Sequence, residues 1–168
     1  MKLFKLLFPA VIALMLAFAP AAASAQTTDD ITAQVASLPA EKIVSISRQL
    51  LDTPIAGNEE TVASYGKIIL IWLTNSDNIS ITLNSVQEFG SNPNLLAAFL
   101  AAEIINMNDL GITTSDKASY IASMKDLLKY YKANRKSIGK VPGLRKFHRL
   151  TPEEIDSTLA EMYDNYAK

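Results

Sequence analysis

Few residues in this chain have the type and setting to do chemistry. His148 is the only histidine and there is no cysteine, so a three-histidine metal centre, a thiolate metal site, a cysteine nucleophile and disulfides are all excluded. A serine hydrolase would need His148 as its base. No Gly-x-Ser-x-Gly elbow accompanies it, and Arg145, Lys146 and Arg149 crowd it with positive charge. It reads as a surface loop histidine, and no catalytic residue, metal site or cofactor is expected.

Glu103 is a second candidate, because it is the only charge in the apolar run from Pro93 to Met107. On a helical wheel it falls between Phe99, Leu96 and Met107. A carboxylate in that position is desolvated unless it meets a cation. Arg48, Lys67 and Arg135 are the candidate partners, Arg135 especially, since it projects near the apolar stripe of its own helix. Two readings follow: a structural buried pair, or a carboxylate in a ligand pocket, alone or with Asn106 one turn on.

The third constellation is cationic. At 100° per residue, Lys125, Lys129, Lys132 and Lys136 fall within about 60° of one another on a helix, and Lys140, Arg145, Lys146 and Arg149 continue the series. Such a ridge can bind a polyanion or acidic phospholipid, with Tyr130, off the apolar stripe, as an anchor at that surface. The plainer reading is a solvated helix face neutralised by acidic segments. Charge is strongly segregated along the chain. From Gln26 to Asp116 there are three basic residues and eleven acidic ones, a net of −8; from Lys117 to Arg149 ten basic residues meet only Asp126, a net of +9. The last nineteen residues return to −4.

These residues must be positioned by a small number of helices, and the chain's first segment is not one of them. Lys2 and Lys5 form a positive n-region, Leu6 to Ala19 an apolar h-region, and Ala23-Ser24-Ala25 a small-x-small site, predicting export with cleavage between Ala25 and Gln26. Pro20 ends the apolar run short of the roughly 18 to 20 residues that span a bilayer, so no transmembrane anchor is expected in the mature chain. Of 168 residues, the part from 26 to 168 suits one domain with one core. Without disulfides, that domain must rest on packing. The export signal places it in the periplasm or the medium, and no recognised nucleic-acid motif points to nucleic acid as a partner.

Asp29 to Ser37 and Ala40 to Asp52 predict two helices, with Pro39 suiting a first helical position and Ile43, Ile46, Leu50 and Leu51 on one stripe of the second. Asn58 can cap a third, whose face carries Val62, Tyr65, Ile69, Trp72 and Leu73. Ile79, Ile81 and Leu83 alternate with polar residues in strand fashion, but a lone strand has no partner elsewhere, so an extended, partly buried loop is expected. Asn92-Pro93 announces an Ala- and Leu-rich helix, apolar nearly all round and therefore central. Gly111 supplies a stop, and Ser115 can cap a long helix to Ile138 with Tyr120, Ile121, Met124, Leu127, Leu128, Tyr131 and Ile138 buried. After a break at Gly139 to Gly143, Leu144 to Leu150 suits a turn or short helix. Thr151-Pro152-Glu153-Glu154 is a capping box with Pro at the first helical position, Leu150 and Ile155 are placed as a hydrophobic staple, and Ile155, Leu159, Met162, Tyr163 and Tyr166 give the last helix its apolar face. No repeat of helix pairs is detectable. The fold expected is all-α, a single bundle of five to seven helices with the Trp72 helix and the Ala-rich helix at its centre.

The helix ending in Trp72 and Thr74, the Asn92-Pro93-Asn94-Leu95-Leu96 start and the Leu127-Leu128-Lys129-Tyr130-Tyr131-Lys132 run together make the chain resemble small, uncharacterised exported helical proteins of Gram-negative bacteria, over residues 58 to 136. That resemblance implies the compartment and the helical class and brings no activity with it. The functional expectation is a binding or accessory module of the cell envelope, contacting an envelope protein or anionic surface through Lys125, Lys129, Lys132, Lys136, Arg145, Lys146 and Arg149. The alternatives are a small-molecule carrier with an internal pocket lined by aromatics and Glu103, or a hydrolase.

Overall fold

A computed structural model describes residues 28–166, so the export segment and its Ala25/Gln26 cleavage site lie outside the described residues, as does the side chain of Tyr166. Seven α-helices follow in order: α1 Thr28–Ala36, α2 Ala40–Asp52, α3 Glu59–Asn75, α4 Pro93–Leu110, α5 Lys117–Ile138, the single turn α6 Pro142–Arg145, and α7 Pro152–Tyr166. Two short 3-10 turns, Asn84–Glu88 and Lys146–Arg149, complete the list. The all-α bundle expected from periodicity is the fold observed.

The helices start and stop where local chemistry dictates. Asn92 accepts from the Leu95 amide at 3.1 Å and Pro93 opens α4, while Gly111 closes it at φ 68°, a left-handed conformation that glycine adopts without cost. The Thr151 hydroxyl accepts from the Glu154 amide, and the Glu154 carboxylate accepts from the Thr151 amide at 2.7 Å. That is the reciprocal box predicted from sequence. Three details differ. Pro39 takes the extended cap position rather than the first helical one. Asn58 caps α3 by position only, its side-chain amide donating back to the Pro54 carbonyl at 3.0 Å. The cap of α5 is Asp116, not Ser115: a carboxylate one residue later accepts from the Ser119 amide at 2.8 Å, and the Ser119 hydroxyl accepts from the Asp116 amide. Ser115 is thereby released to point inward, and it is buried.

α4 is the axis of the molecule. Every residue from Leu95 to Ile105, and Met107, is buried, which requires cover on all sides, supplied by α2, α3 and α5. Its alanines let those neighbours approach closely; a Cβ built on Gly66 of α3 would sit 2.9 Å from the Ala97 Cβ. α3 is accordingly a flanking helix with one buried stripe and one exposed face, not a second centre. Trp72 packs from it, its indole N–H donating to the Leu38 carbonyl at 2.9 Å and so tying down the link between α1 and α2. A chain of ring contacts crosses the bundle from Phe89 to Phe99 of α4 (5.5 Å), to Tyr120 of α5 (6.3 Å), to Tyr163 of α7 (5.4 Å). Aromatic contact thus carries the core out to α7.

The alternating Ile79–Leu83 stretch forms no strand, with Ile81 buried and Ile79 and Leu83 partly buried, the partly buried loop expected. It does find one partner: Ser80 donates to the Thr113 carbonyl at 2.9 Å and accepts from the Ser115 amide at 2.8 Å, a single parallel bridge. Another long-range polar tie escaped the sequence altogether. Asn134 is buried in α5, its carbonyl oxygen accepting from the Ile55 amide at 2.8 Å and its amide donating to the Tyr130 carbonyl at 3.1 Å. It anchors the connection between α2 and α3. Replacing it with leucine, close in volume but unable to accept, leaves the Ile55 N–H without a partner; we expect a loss of about 1–3 kcal/mol in urea unfolding, with the helical circular dichroism unchanged.

Candidate functional site

The long helix α5 presents two surfaces of opposite character. Its inner stripe is Ser119, Tyr120, Ser123, Met124, Leu127, Tyr130, Tyr131 and Asn134, so the helix is rotated from the purely apolar stripe expected, and Ile121, Leu128 and Ile138 are only partly buried. Tyr130 is the clearest correction. It is 3% exposed, burial pushes its hydroxyl up to about 12, and it has no role at the surface. The polar residues of this stripe find partners inside: Ser119 accepts from the Asp116 amide, Ser123 from Asn106 at 3.3 Å, and Asn134 from the Ile55 amide.

The outer surface carries Lys125, Lys129, Lys132 and Lys136, all exposed. Their N-terminal end is neutralised by α7: Lys125 meets Asp156 at 2.8 Å, and Lys117 meets Asp164 at 2.8 Å. Both pairs are about half exposed, so each contributes on the order of 0–1 kcal/mol. Beyond them, no carboxylate of the described residues pairs with Lys129, Lys132 or Lys136. The following turn adds to this surface. The Tyr131 hydroxyl donates to the Gly139 carbonyl at 3.0 Å and accepts from the Val141 amide at 3.1 Å, and His148 stacks on Tyr131 with centroids 5.8 Å apart. These contacts tie the segment to Tyr131 of α5, while α6 packs on the Asn84–Glu88 turn, where Glu88 lies against Gly143; Leu144 and Phe147 are buried and Lys140, Arg145, Lys146 and Arg149 exposed. The structure leaves Lys129, Lys132, Lys136, Lys140, Arg145, Lys146 and Arg149 exposed, while the charge of Lys125 is already met by Asp156. His148 is an exposed member of that turn, as expected.

Glu103 is the other predicted site residue, and it is fully buried at 0% exposure. None of the proposed partners reaches it: Arg48 pairs with Asp109 at 3.0 Å, Arg135 is exposed, and no salt bridge of the described residues includes Glu103 or Lys67. The buried-pair reading assumed a cation could follow the carboxyl inside, whereas α5 turns its serines there instead. The hydroxyls of Ser115, Ser119 and Ser123 lie against the carboxyl and offset part of its burial, yet neither oxygen is in a well-formed hydrogen bond. Asn106, one turn on, donates to its own helix at Ala102 and to Asp126 at 3.1 Å. Burial above all, with a smaller push from the Asp116 charge, raises the Glu103 carboxyl from 4.5 to about 7.

A cleft of about 190 Å³ opens elsewhere, between the starts of α3 and α4, lined by Ile55, Val62, Gly66, Pro93 and Ala97 among others. Glu103 is six residues beyond Ala97, about 9 Å along the helix, and does not line it. Nor do the aromatics of the core. Among the described residues no group of three or more His, Asp or Glu is arranged to hold a metal ion. The chain matches no protein-family model, no curated protein and no solved structure.

The pH dependence follows from Glu103. Below about pH 4.5 the carboxyl is neutral folded or unfolded; between there and about 7 the unfolded chain ionises while the folded one holds its proton, and stability falls as pH rises. Above about 7 the penalty is constant, at roughly 3 kcal/mol. Glu103→Gln should remove this slope. Chemical denaturation at pH 5 and pH 8 is expected to show the variant more stable than the wild type at pH 8, with the gap closing toward pH 5.

Proposed function

We propose that this protein is an exported helical binding module of the cell envelope that docks on an anionic surface, an acidic phospholipid headgroup layer, through the cationic end formed by the C-terminal half of α5 and residues 139–149. One observation carries the reading: Lys129, Lys132 and Lys136 share a helix face that no acidic side chain of the described residues pairs with, while the equivalent lysines nearer the start of α5 are matched by α7. A purely solvating set of lysines would be expected to draw on the chain's acidic surplus throughout. Instead Asp29, Glu41, Asp52, Glu59 and Glu60 are exposed on α1 to α3. The n-region, h-region and Ala25/Gln26 site of the first residues support delivery outside the cytoplasm, and among the described residues no helix is long and apolar enough to cross a membrane.

The carrier alternative draws less support. A cleft of about 190 Å³ is below the roughly 300 Å³ at which small-molecule sites begin, and it excludes the carboxylate that was to recognise the ligand.

Co-sedimentation with vesicles tests the reading. Binding to phosphatidylglycerol-containing vesicles, absent with phosphatidylcholine alone, is expected at ~50 mM salt and should fade at several-fold higher salt. The triple reversal Lys129→Glu, Lys132→Glu, Lys136→Glu should weaken it at least tenfold while leaving the helical spectrum intact. Equal sedimentation with both vesicle types, or none with either, would sink it.

A further inference from the structure

α3 and α4 touch at two small residues: a Cβ built on Gly66 would stand 2.9 Å from the Ala97 Cβ. Every other residue the two helices give to the cleft between them, Glu59, Val62 and Ala63 of α3 and Pro93 and Asn94 of α4, precedes that point in its helix. The helices therefore part toward their starts, and a space of about 190 Å³ is left. Ile55, Val62, Gly66 and Ala97 are buried, whereas Glu59 and Ala63 are exposed and Asn94 is half-buried. The inside is apolar and the mouth polar.

The connection between α2 and α3 supplies the remaining wall through Ile55, and that wall is braced. The Ile55 amide donates to Asn134 at 2.8 Å, the Ile55 carbonyl accepts from the Asn58 amide at 2.9 Å, and the Asn58 side chain donates to the Pro54 carbonyl at 3.0 Å. Glu59 is held too, its carboxylate accepting from the Gly57 amide at 3.1 Å. A site fixed in advance loses little freedom when it is filled. Its size selects the occupant: an apolar cavity of roughly 150 Å³ takes up benzene, whereas drug-sized ligands need about 300 Å³ or more. The cleft has room for one ring or branched aliphatic group, the scale of a single anchor side chain at a protein interface.

Charge at the mouth selects what lies beside that anchor. From Gln49 to Asp116, the stretch that supplies every wall, eight acidic residues stand against one base, Lys67. Lys67 is half-buried, Arg48 is taken by Asp109 at 3.0 Å, and Arg135, beside Asn134, is exposed and in no salt bridge of the described residues. Asp52, Glu59 and Glu60 are exposed along the α2–α3 connection and the start of α3, and no salt bridge of the described residues includes them either. The partial positive charge of the helix starts does not reverse this sign, since Glu59 and Glu60 occupy the first turn of α3 and Asn92 covers the Leu95 amide of α4. We propose that the cleft is a second binding site, for a peptide segment of a protein partner that seats one leucine- or phenylalanine-sized side chain between α3 and α4 and lays an adjacent Lys or Arg against Glu59 and its neighbour Glu60. The apolar insertion supplies affinity and the exposed carboxylates supply orientation. This site takes charge opposite to that met by Lys129, Lys132 and Lys136, and it stands independently of any lipid bound there.

Titration with terminally blocked tripeptides, followed by amide and methyl NMR, is the direct test. Lys-Leu-Lys or Lys-Phe-Lys should shift the Gly66 and Ala97 amides and the Ala63 methyl saturably, at millimolar concentration or below. Glu-Leu-Glu and Glu-Phe-Glu should bind about fivefold more weakly or worse, and Lys-Ala-Lys should not saturate. Ala63→Leu, at an exposed position, should fill the mouth and abolish the saturable shifts. Glu59→Gln combined with Glu60→Gln should remove the preference for the lysine peptides and keep the dependence on leucine or phenylalanine. No saturable binding of either lysine peptide, equal binding of the glutamate peptides, or unchanged binding to the Ala63→Leu variant would overturn the site. So would concentration-dependent shifts of the same signals in the protein alone, which would give the cleft to a second copy.

Discussion

A helix that is apolar on every side cannot rest on a surface; it has to be surrounded. α4 imposes that condition here, with every residue from Leu95 to Ile105 buried, and the rest of the architecture is its consequence. α2, α3 and α5 each cover one side, and the small side chains at Ala97, Ala98, Ala101 and Ala102 set how near they come. Apolar area removed from water is the stabilising term, and close approach adds the dispersion contacts that a looser bundle would lose. With no disulfide to assist, the ring series Phe89, Phe99, Tyr120 and Tyr163 extends this packing to the outer elements.

Surrounding α4 also traps polar groups, and the structure treats them unequally. Asn134 is buried with partners on both ends of its amide, so it costs little and fixes the α2–α3 connection. Glu103 is buried deeper, against three hydroxyls and no cation, and holds its proton to about neutrality. The difference lies in charge. A neutral amide can be matched by two backbone groups, whereas a carboxylate without a counter-ion is most easily accommodated by giving up its charge.

Charge on the outside is distributed by the same packing. α7 docks across the first half of α5 because Leu159 and Met162 seek the core, and this carries Asp156 and Asp164 to Lys125 and Lys117. Past Lys125 the chain that follows α5 returns to it at Tyr131, which meets Gly139, Val141 and His148 of the basic turn. Where the acidic helix stops, Lys129, Lys132 and Lys136 are left exposed with no carboxylate of the described residues paired to them.

Much of this was legible residue by residue. The Asn92-Pro93 and Thr151-to-Glu154 starts, the Gly111 stop, the all-round apolar character of α4 and the common face of Lys125, Lys129, Lys132 and Lys136 are local patterns, set by helical period and by the orphan amides of a helix's first turn. Those determine helices and their exposed faces without reference to the rest of the chain. Tertiary structure decided what local pattern leaves open: that Asp116 and not Ser115 caps α5, that Tyr130 and Asn134 turn inward, that Arg48 goes to Asp109, and that serines, not a cation, meet Glu103. Each depends on which residue stands opposite across a helix interface, far apart in sequence. Periodicity states that a face is buried; only packing states against what.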